Sequence, residues 1–197
     1  YQNEKNILLL ELNSETDFVA RDSNFIDLAK SIANKLLEND ESDVINEISD
    51  EIKSKISKLG ENIKLRRFTK IEKNNYLYGY AHNNKIASIV ELKEDDENLA
   101  KDICMQIVAS NPLALNEGSL DSDTLLSEKE IYKKELDSID KKDDIKRNIL
   151  EGKMKKFIND NTLLNQPFVK DPSTSLRKII KNNEIISFTR YEVGEGI

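Results

Sequence analysis

The run Ile7-Leu8-Leu9-Leu10-Glu11-Leu12 limits the fold of this chain more than any other stretch. Successive side chains of a β-strand point to opposite faces, so a strand apolar at nearly every position is expected to be covered on both. The strand breaks at Asn13-Ser14, and Thr16-Asp17-Phe18-Val19-Ala20-Arg21-Asp22 follows. Turns draw on Gly, Pro, Asn, Asp and Ser, which tolerate turn dihedrals or bond their own backbone. Phe18 does neither. It is either a core residue at the start of a helix or a side chain presented to a partner, and the segment alone leaves both open.

Two helical stripes come next. Phe25, Leu28, Ala29, Ile32 and Leu36 recur in steps of three and four, the spacing of one helix face, with Asn24 as the expected cap. Ile45, Ile48, Ile52, Ile56 and Leu59 form a second stripe, opening at Ser42 or Asp43 and ending at Gly60, where a left-handed cap would sit. Joined through Asn39-Asp40-Glu41, they predict an αα-hairpin packed on the first strand.

The period then changes from about four to two. Ile63, Leu65 and Phe68 begin a strand expected to bend before Ile71. Tyr76, Tyr78 and Tyr80 alternate with Leu77, Gly79 and Ala81, giving a strand with an aromatic face and a small face. His82-Asn83-Asn84-Lys85 supplies a turn, since Asn tolerates positive φ, and Ile86 to Leu92 returns as the antiparallel partner. The acidic run Glu94 to Glu97 precedes a helix from Leu99 to Ser110, where negative charge favours the helix N-terminus without any metal. Asn111-Pro112 ends that helix.

From about Asp123 to Asn161 apolar residues are sparse. Leu125, Tyr132, Leu136 and Ile139 follow a narrow seam, interrupted at Asp140 to Asp144 and resumed by Ile145, Ile149, Gly152 and Phe157. Two helices with a short turn fit an antiparallel coiled-coil arm. A short helix carrying Leu176, Ile179 and Ile180 and a closing strand from Ile185 to Val193 complete the chain. The fold class is therefore α+β: two small core subdomains with antiparallel sheets and packed helices, plus the inserted arm. The expected boundaries are 1–74 for the N-terminal core, 75–122 with 162–197 for the C-terminal core, and 123–161 for the arm.

Composition removes several function classes. A net charge of −7, with acids and bases mixed along the 197 residues, disfavours nonspecific nucleic-acid binding, although Arg66-Arg67 and Lys153 to Lys156 are basic clusters. No apolar run reaches the roughly 20 residues of a membrane helix. One cysteine, Cys104, forms no intrachain disulfide, and its apolar neighbours predict a buried, inert thiol. There is no Gly-rich phosphate loop, no cysteine pair for zinc and no histidine pair for a catalytic metal. The one histidine, His82, falls on a turn without a nucleophile nearby in sequence. A binding role is favoured over an enzymatic one, and no cofactor is called for.

The segment Asn13 to Phe25, centred on Thr16-Asp17-Phe18-Val19-Ala20, resembles the signature loop of the translation elongation factor Ts family. Gly60-Glu61-Asn62-Ile63 leading to Arg66-Arg67 is similar to that family, as is Glu151 to Phe157. Gln166-Pro167-Phe168-Val169 and Arg190-Tyr191-Glu192-Val193-Gly194-Glu195-Gly196 also fit. These blocks occur in family order and span nearly the whole chain.

The resemblance implies a cytoplasmic guanine-nucleotide exchange factor that binds elongation factor Tu, both GDP-bound and nucleotide-free, without binding nucleotide itself. It implies partner contacts at Thr16, Asp17, Phe18 and Val19, at Leu59 and Gly60, and at His82, with Phe18 wedged near the partner's Mg²⁺ site. The factor would act alone, as a homodimer or in a 2:2 complex. Family members also carry a helical (UBA-like) domain before the first strand and a short module after Gly196. Neither is expected here, and a start at Tyr1 without Met suggests that the natural N-terminus lies further upstream. The competing reading is a structural scaffold that uses the coiled coil and has no exchange activity.

Overall fold

The computed structural model describes residues 1–196. Strand β1 (Asn6–Asn13) is covered on both faces, as its composition requires. After it come the short helix α1 (Asp17–Ala20) and the helices α2 (Ser23–Glu38) and α3 (Glu41–Leu59). Strand β2 (Lys64–Glu72) returns antiparallel to β1. Leu8, Leu10 and Leu12 point from β1 into a core built by Leu28, Ile32 and Leu36 of α2 and by Val44 and Ile48 of α3. Ile7 and Leu9 point the other way, against Leu77 and Ile89 of a second sheet.

That second sheet contains β3 (Tyr76–His82) and β4 (Ile86–Leu92). Helix α4 (Glu97–Ser110), helices α5 (Ser122–Asp137) and α6 (Asp143–Asn161), short strands β5 (Pro167–Phe168) and β6 (Asp171–Ser175), helix α7 (Leu176–Ile180) and β7 (Ile185–Glu192) follow. The strand order is β3-β4-β7, antiparallel throughout. Helix α4 covers the face away from β1, where Ile103, Cys104 and Ile107 meet Val90 and the half-buried tyrosines 76, 78 and 80. The small face of β3 lies against β1. A Cβ on Gly79 would sit 3.0 Å from Ile7 Cδ1, so the absence of a side chain lets the sheets approach. The architecture is α+β.

Local chemistry accounts for most boundaries, with corrections. The cap of α2 is Asp22, whose Oδ1 accepts from Asn24 N at 2.7 Å; Asn24, expected to cap, already lies in the first turn. Helix α3 begins at Glu41, before the expected Ser42 or Asp43, and its deepest residues are Val44 and Ile48, with Ile45, Ile52, Ile56 and Leu59 half-buried. Its C-cap is Gly60 in the left-handed region, φ 75°. Asn83 and Asn84 take φ of 51° and 54°, the signature of a tight hairpin turn. Strand β2 runs unbroken through Ile71, and its irregularity is a bulge: Glu11 pairs with Arg67 while Leu12 pairs with Leu65, leaving Arg66 extra.

Helices α5 and α6 pair with each other, Lys153 of α6 bonding Glu135 of α5 and lying 5.0 Å from the Tyr132 ring centre. The seam is shallower than its spacing suggests. Leu136 is buried and Leu125, Tyr132 and Ile149 are half-buried, but Ile139 and Ile145 are 40% and 46% exposed. Ile139 follows the last residue of α5, Asp137, so the helical period no longer aims it inward. Gly152 is exposed as well. The exit of α6 is held by buried Gln166, which donates to the carbonyls of Asp160 at 2.8 Å and Ser110 at 3.2 Å. Helix-end carbonyls need such partners. Of the range expected for the C-terminal core, residue 197 lies outside the described residues.

Candidate functional site

Where β1 ends, the chain turns through α1 into α2. Thr16 is the N-cap of α1, in extended backbone, with its Oγ1 3.4 Å from Val19 N. Val19 is buried at the edge of the α2–α3 core and anchors the turn. Phe18 points outward and is 89% exposed, far more than any other large apolar side chain among the described residues. The core reading of Phe18 therefore falls. Burying an aromatic ring is worth about 1.5–3 kcal/mol, and this one forgoes it.

The turn is tied to two other elements. Gly60 reverses the chain directly after α3, which brings Glu61 against Thr16: Glu61 Oε2 accepts from Thr16 N at 3.0 Å, and Oε1 accepts from Thr16 Oγ1 at 2.6 Å. On the other side Asp17 pairs with Lys85 at 3.5 Å. Both side chains are about two-thirds exposed (66% and 65%), so this pair is worth ~1 kcal/mol at most. Lys85 closes the Asn83-Asn84 turn, its N–H donating to the carbonyl of His82 at 3.1 Å. His82 is exposed, with Nδ1 3.2 Å from Tyr80 Oη and Nε2 3.2 Å from Asn83 Nδ2.

The residues singled out from the sequence thus gather at one end of the molecule. Thr16, Asp17, Phe18 and Val19 form the turn, Leu59 and Gly60 the end of α3, and His82 the start of the hairpin turn. They differ in access: Phe18, Asp17, Gly60 and His82 are exposed, Leu59 is half-buried, and Val19 is inside. Glu61 and Lys85, which join the three segments, were not among the residues singled out. Glu61 did stand inside the block beginning at Gly60, but a contact across 45 positions has no local signature.

Behind the turn lies a charged cluster. Glu11 is buried on β1 and accepts from Arg66 Nη1 at 2.9 Å, Arg67 Nε at 2.7 Å, Asn13 Nδ2 at 3.1 Å and Gly194 N at 3.2 Å. Burial alone would push its carboxyl up in pKa; the bonds from Arg66, Arg67, Asn13 and Gly194 prevail and hold it below its ordinary value. Arg67 also lies 4.2 Å over the Tyr191 ring and donates to the Glu192 carbonyl at 3.1 Å. Cys104 is buried on α4, and burial pushes its thiol up to about 12.

Among the described residues no three His, Cys, Asp or Glu side chains gather as a metal site, and no helix is long and apolar enough to cross a membrane. A surface groove of about 700 Å³ is open and runs between Asn3, Leu37, Asp40 and Lys70; Phe18 does not line it. A projecting ring on a capped turn, flanked by a histidine, an ion pair and an exposed helix end, suits contact with a protein surface.

Comparisons with known proteins bear on the family of the chain. The sequence model of the family described as "Elongation factor TS" matches residues 15–195. The chain is 41% identical over 196 residues to an Elongation factor Ts of Marinobacter nauticus, covering 96% of this chain and 68% of that one. It is 38% identical over 207 residues to an Elongation factor Ts of Legionella pneumophila, covering 98% and 70%. A Halothermothrix orenii Elongation factor Ts is 38% identical over 209 residues, covering 96% and 70%. A family model matching nearly the whole chain, and relatives about 40% identical along it, lead to one conclusion: this chain belongs to the elongation factor Ts family of translation factors.

Proposed function

We propose that the chain is a guanine-nucleotide exchange factor for elongation factor Tu, acting in the cytoplasm during translation elongation. It carries out no chemical step and needs no nucleotide site. It binds nucleotide-free partner more tightly than GDP-bound partner, and linkage then requires that it weaken GDP affinity by the same ratio. Phe18 is the wedge: pushed between partner elements near the Mg²⁺ site, it displaces the groups holding metal and phosphate. Asp17 sets the wedge angle by bonding the partner, and Leu59, Gly60 and His82 add flanking contacts. The outward Phe18 ring is the observation that carries this reading.

In this reading residues 1–74 form one core subdomain, residues 75–122 with 162–197 a second, and 123–161 a coiled-coil arm. The stoichiometry with the partner is one to one or a 2:2 complex. The test is release of fluorescent GDP from a cognate elongation factor Tu chased with unlabelled GDP. Substoichiometric chain is expected to accelerate release in a saturable way. Equal decay with and without the chain overturns the reading and favours a scaffold role.

A further inference from the structure

We propose that Glu61 is a positioning residue, whose carboxylate clamps the turn carrying Phe18 and holds the ring outward before any partner arrives. The proposal deepens the exchange-factor reading and rests on it. Both carboxylate oxygens engage Thr16, one on its backbone N–H and the other on its hydroxyl. A threonine hydroxyl has a single hydrogen. Once that hydrogen goes to Glu61, the lone pairs of Oγ1 are left to face Val19 N, so the clamp also orients the cap of α1. Glu61 has a firm base, one residue beyond the Gly60 cap of a helix anchored in the core.

Little else holds the turn. The Phe18 ring is too exposed to pin it. Helix α1 has four residues, too few to persist unaided. The Asp17–Lys85 pair is solvated and weak. The burial of Val19, one bond from Ser14 Oγ to the Thr16 carbonyl at 3.1 Å and the two-oxygen Glu61 clamp remain, and only the clamp ties the turn to another element through side-chain hydrogen bonds. If the clamp is lost, the turn samples other orientations, and apparent partner affinity falls in proportion to the competent fraction. The rate at saturation does not fall, because the wedge itself is intact.

The test uses Glu61→Ala and Glu61→Gln in the full chain with two readouts. One is amide hydrogen exchange at residues 16–20 of the free protein; the other is GDP release from elongation factor Tu over a range of factor concentrations. Glu61→Ala is expected to speed amide exchange of Val19 and Ala20 by about tenfold, with α2 unaffected, and to raise the half-saturating factor concentration about tenfold at an unchanged plateau. Glu61→Gln, which keeps one acceptor oxygen, falls between. In a Phe18→Ala background, Glu61→Ala adds a smaller loss than in the natural chain, because the turn then has only its Asp17 contact left to misplace. Unchanged amide exchange overturns the clamp. So does a full additional loss in the Phe18→Ala background, which would mean that Glu61 touches the partner itself. If the unmodified chain leaves GDP release unaltered, the exchange-factor reading fails, while amide exchange still decides the clamp.

Discussion

The buried carboxylate of Glu11 accepts the Nε–H of Arg67 at 2.7 Å within the first sheet, and Arg67 reaches on to the end of the second by donating to the Glu192 carbonyl at 3.1 Å. The bulge in β2 sets two arginines opposite one glutamate, so Arg66 reaches the same carboxylate at 2.9 Å. The N–H of Gly194, just past β7, completes the set at 3.2 Å. Removing the charge leaves two arginines facing an uncharged partner inside the protein. Glu11→Gln is expected to cost about 3–5 kcal/mol, read from the urea midpoint at neutral pH. A loss below about 1 kcal/mol would show that the cluster is solvated in solution.

The same carboxylate makes stability depend on pH in a defined direction. Its folded-state pKa is depressed, so its contribution is complete above the unfolded glutamate value of about 4.3 and disappears as pH falls through the folded value. The stability gap between the natural chain and Glu11→Gln should stay constant from about pH 7 to 5 and narrow below about pH 4. A gap that persists unchanged at about pH 3 contradicts this assignment.

Phe18 and Phe25 offer a matched pair. Phe25 is 7% exposed and Phe18 is 89% exposed. Phe25→Ala should lose about 3–5 kcal/mol of stability, whereas Phe18→Ala should change it by less than about 0.5 kcal/mol. Phe18→Ala should nevertheless lose most GDP-release activity. Thermal melts and the release assay on the same samples check both halves.

Gly79 and Ile7 meet between the sheets. Gly79→Ala puts a methyl 3.0 Å from Ile7 Cδ1, and overpacking of this kind costs about 1–3 kcal/mol. Ile7→Val removes the Cδ1 atom. The double variant should be more stable than the sum of the two single losses predicts, by about 0.5 kcal/mol or more in a double-mutant cycle. Strict additivity would mean that the sheets shift apart instead.

Cys104 is 0% exposed, and its thiol is pushed up to about 12, so native thiolate is scarce at neutral pH. Labelling by a maleimide should proceed only as fast as the protein opens, and should become rapid in denaturant. Stoichiometric labelling within minutes of mixing under native conditions would place the helix otherwise.

Local periodicity alone specified much of this molecule. The 3.6-residue stripes of α2 and α3, the alternation of Tyr76, Tyr78 and Tyr80, and the Asn83-Asn84 turn each express a backbone geometry that neighbouring residues determine. The apolar run at Ile7 likewise demanded cover on both faces, and the ordered family blocks were legible as motifs. The Asp22 cap of α2 and the exposure of Ile139 escape the periodic pattern, because end effects depend on where the first and last turns stop. Tertiary structure decided the rest. The segment alone left both a core and a surface place open to Phe18, and the structure buries Val19 while the Phe18 ring faces outward. Arg66-Arg67 and the segment from Arg190 to Gly196 stood as separate blocks, yet they meet at Glu11 across as many as 183 positions. Such a meeting depends on a bulge and on the stacking of two sheets, and neither leaves a period in the chain. Side-chain spacing encodes which face of an element is buried; which distant element lies against that face is settled by packing the whole.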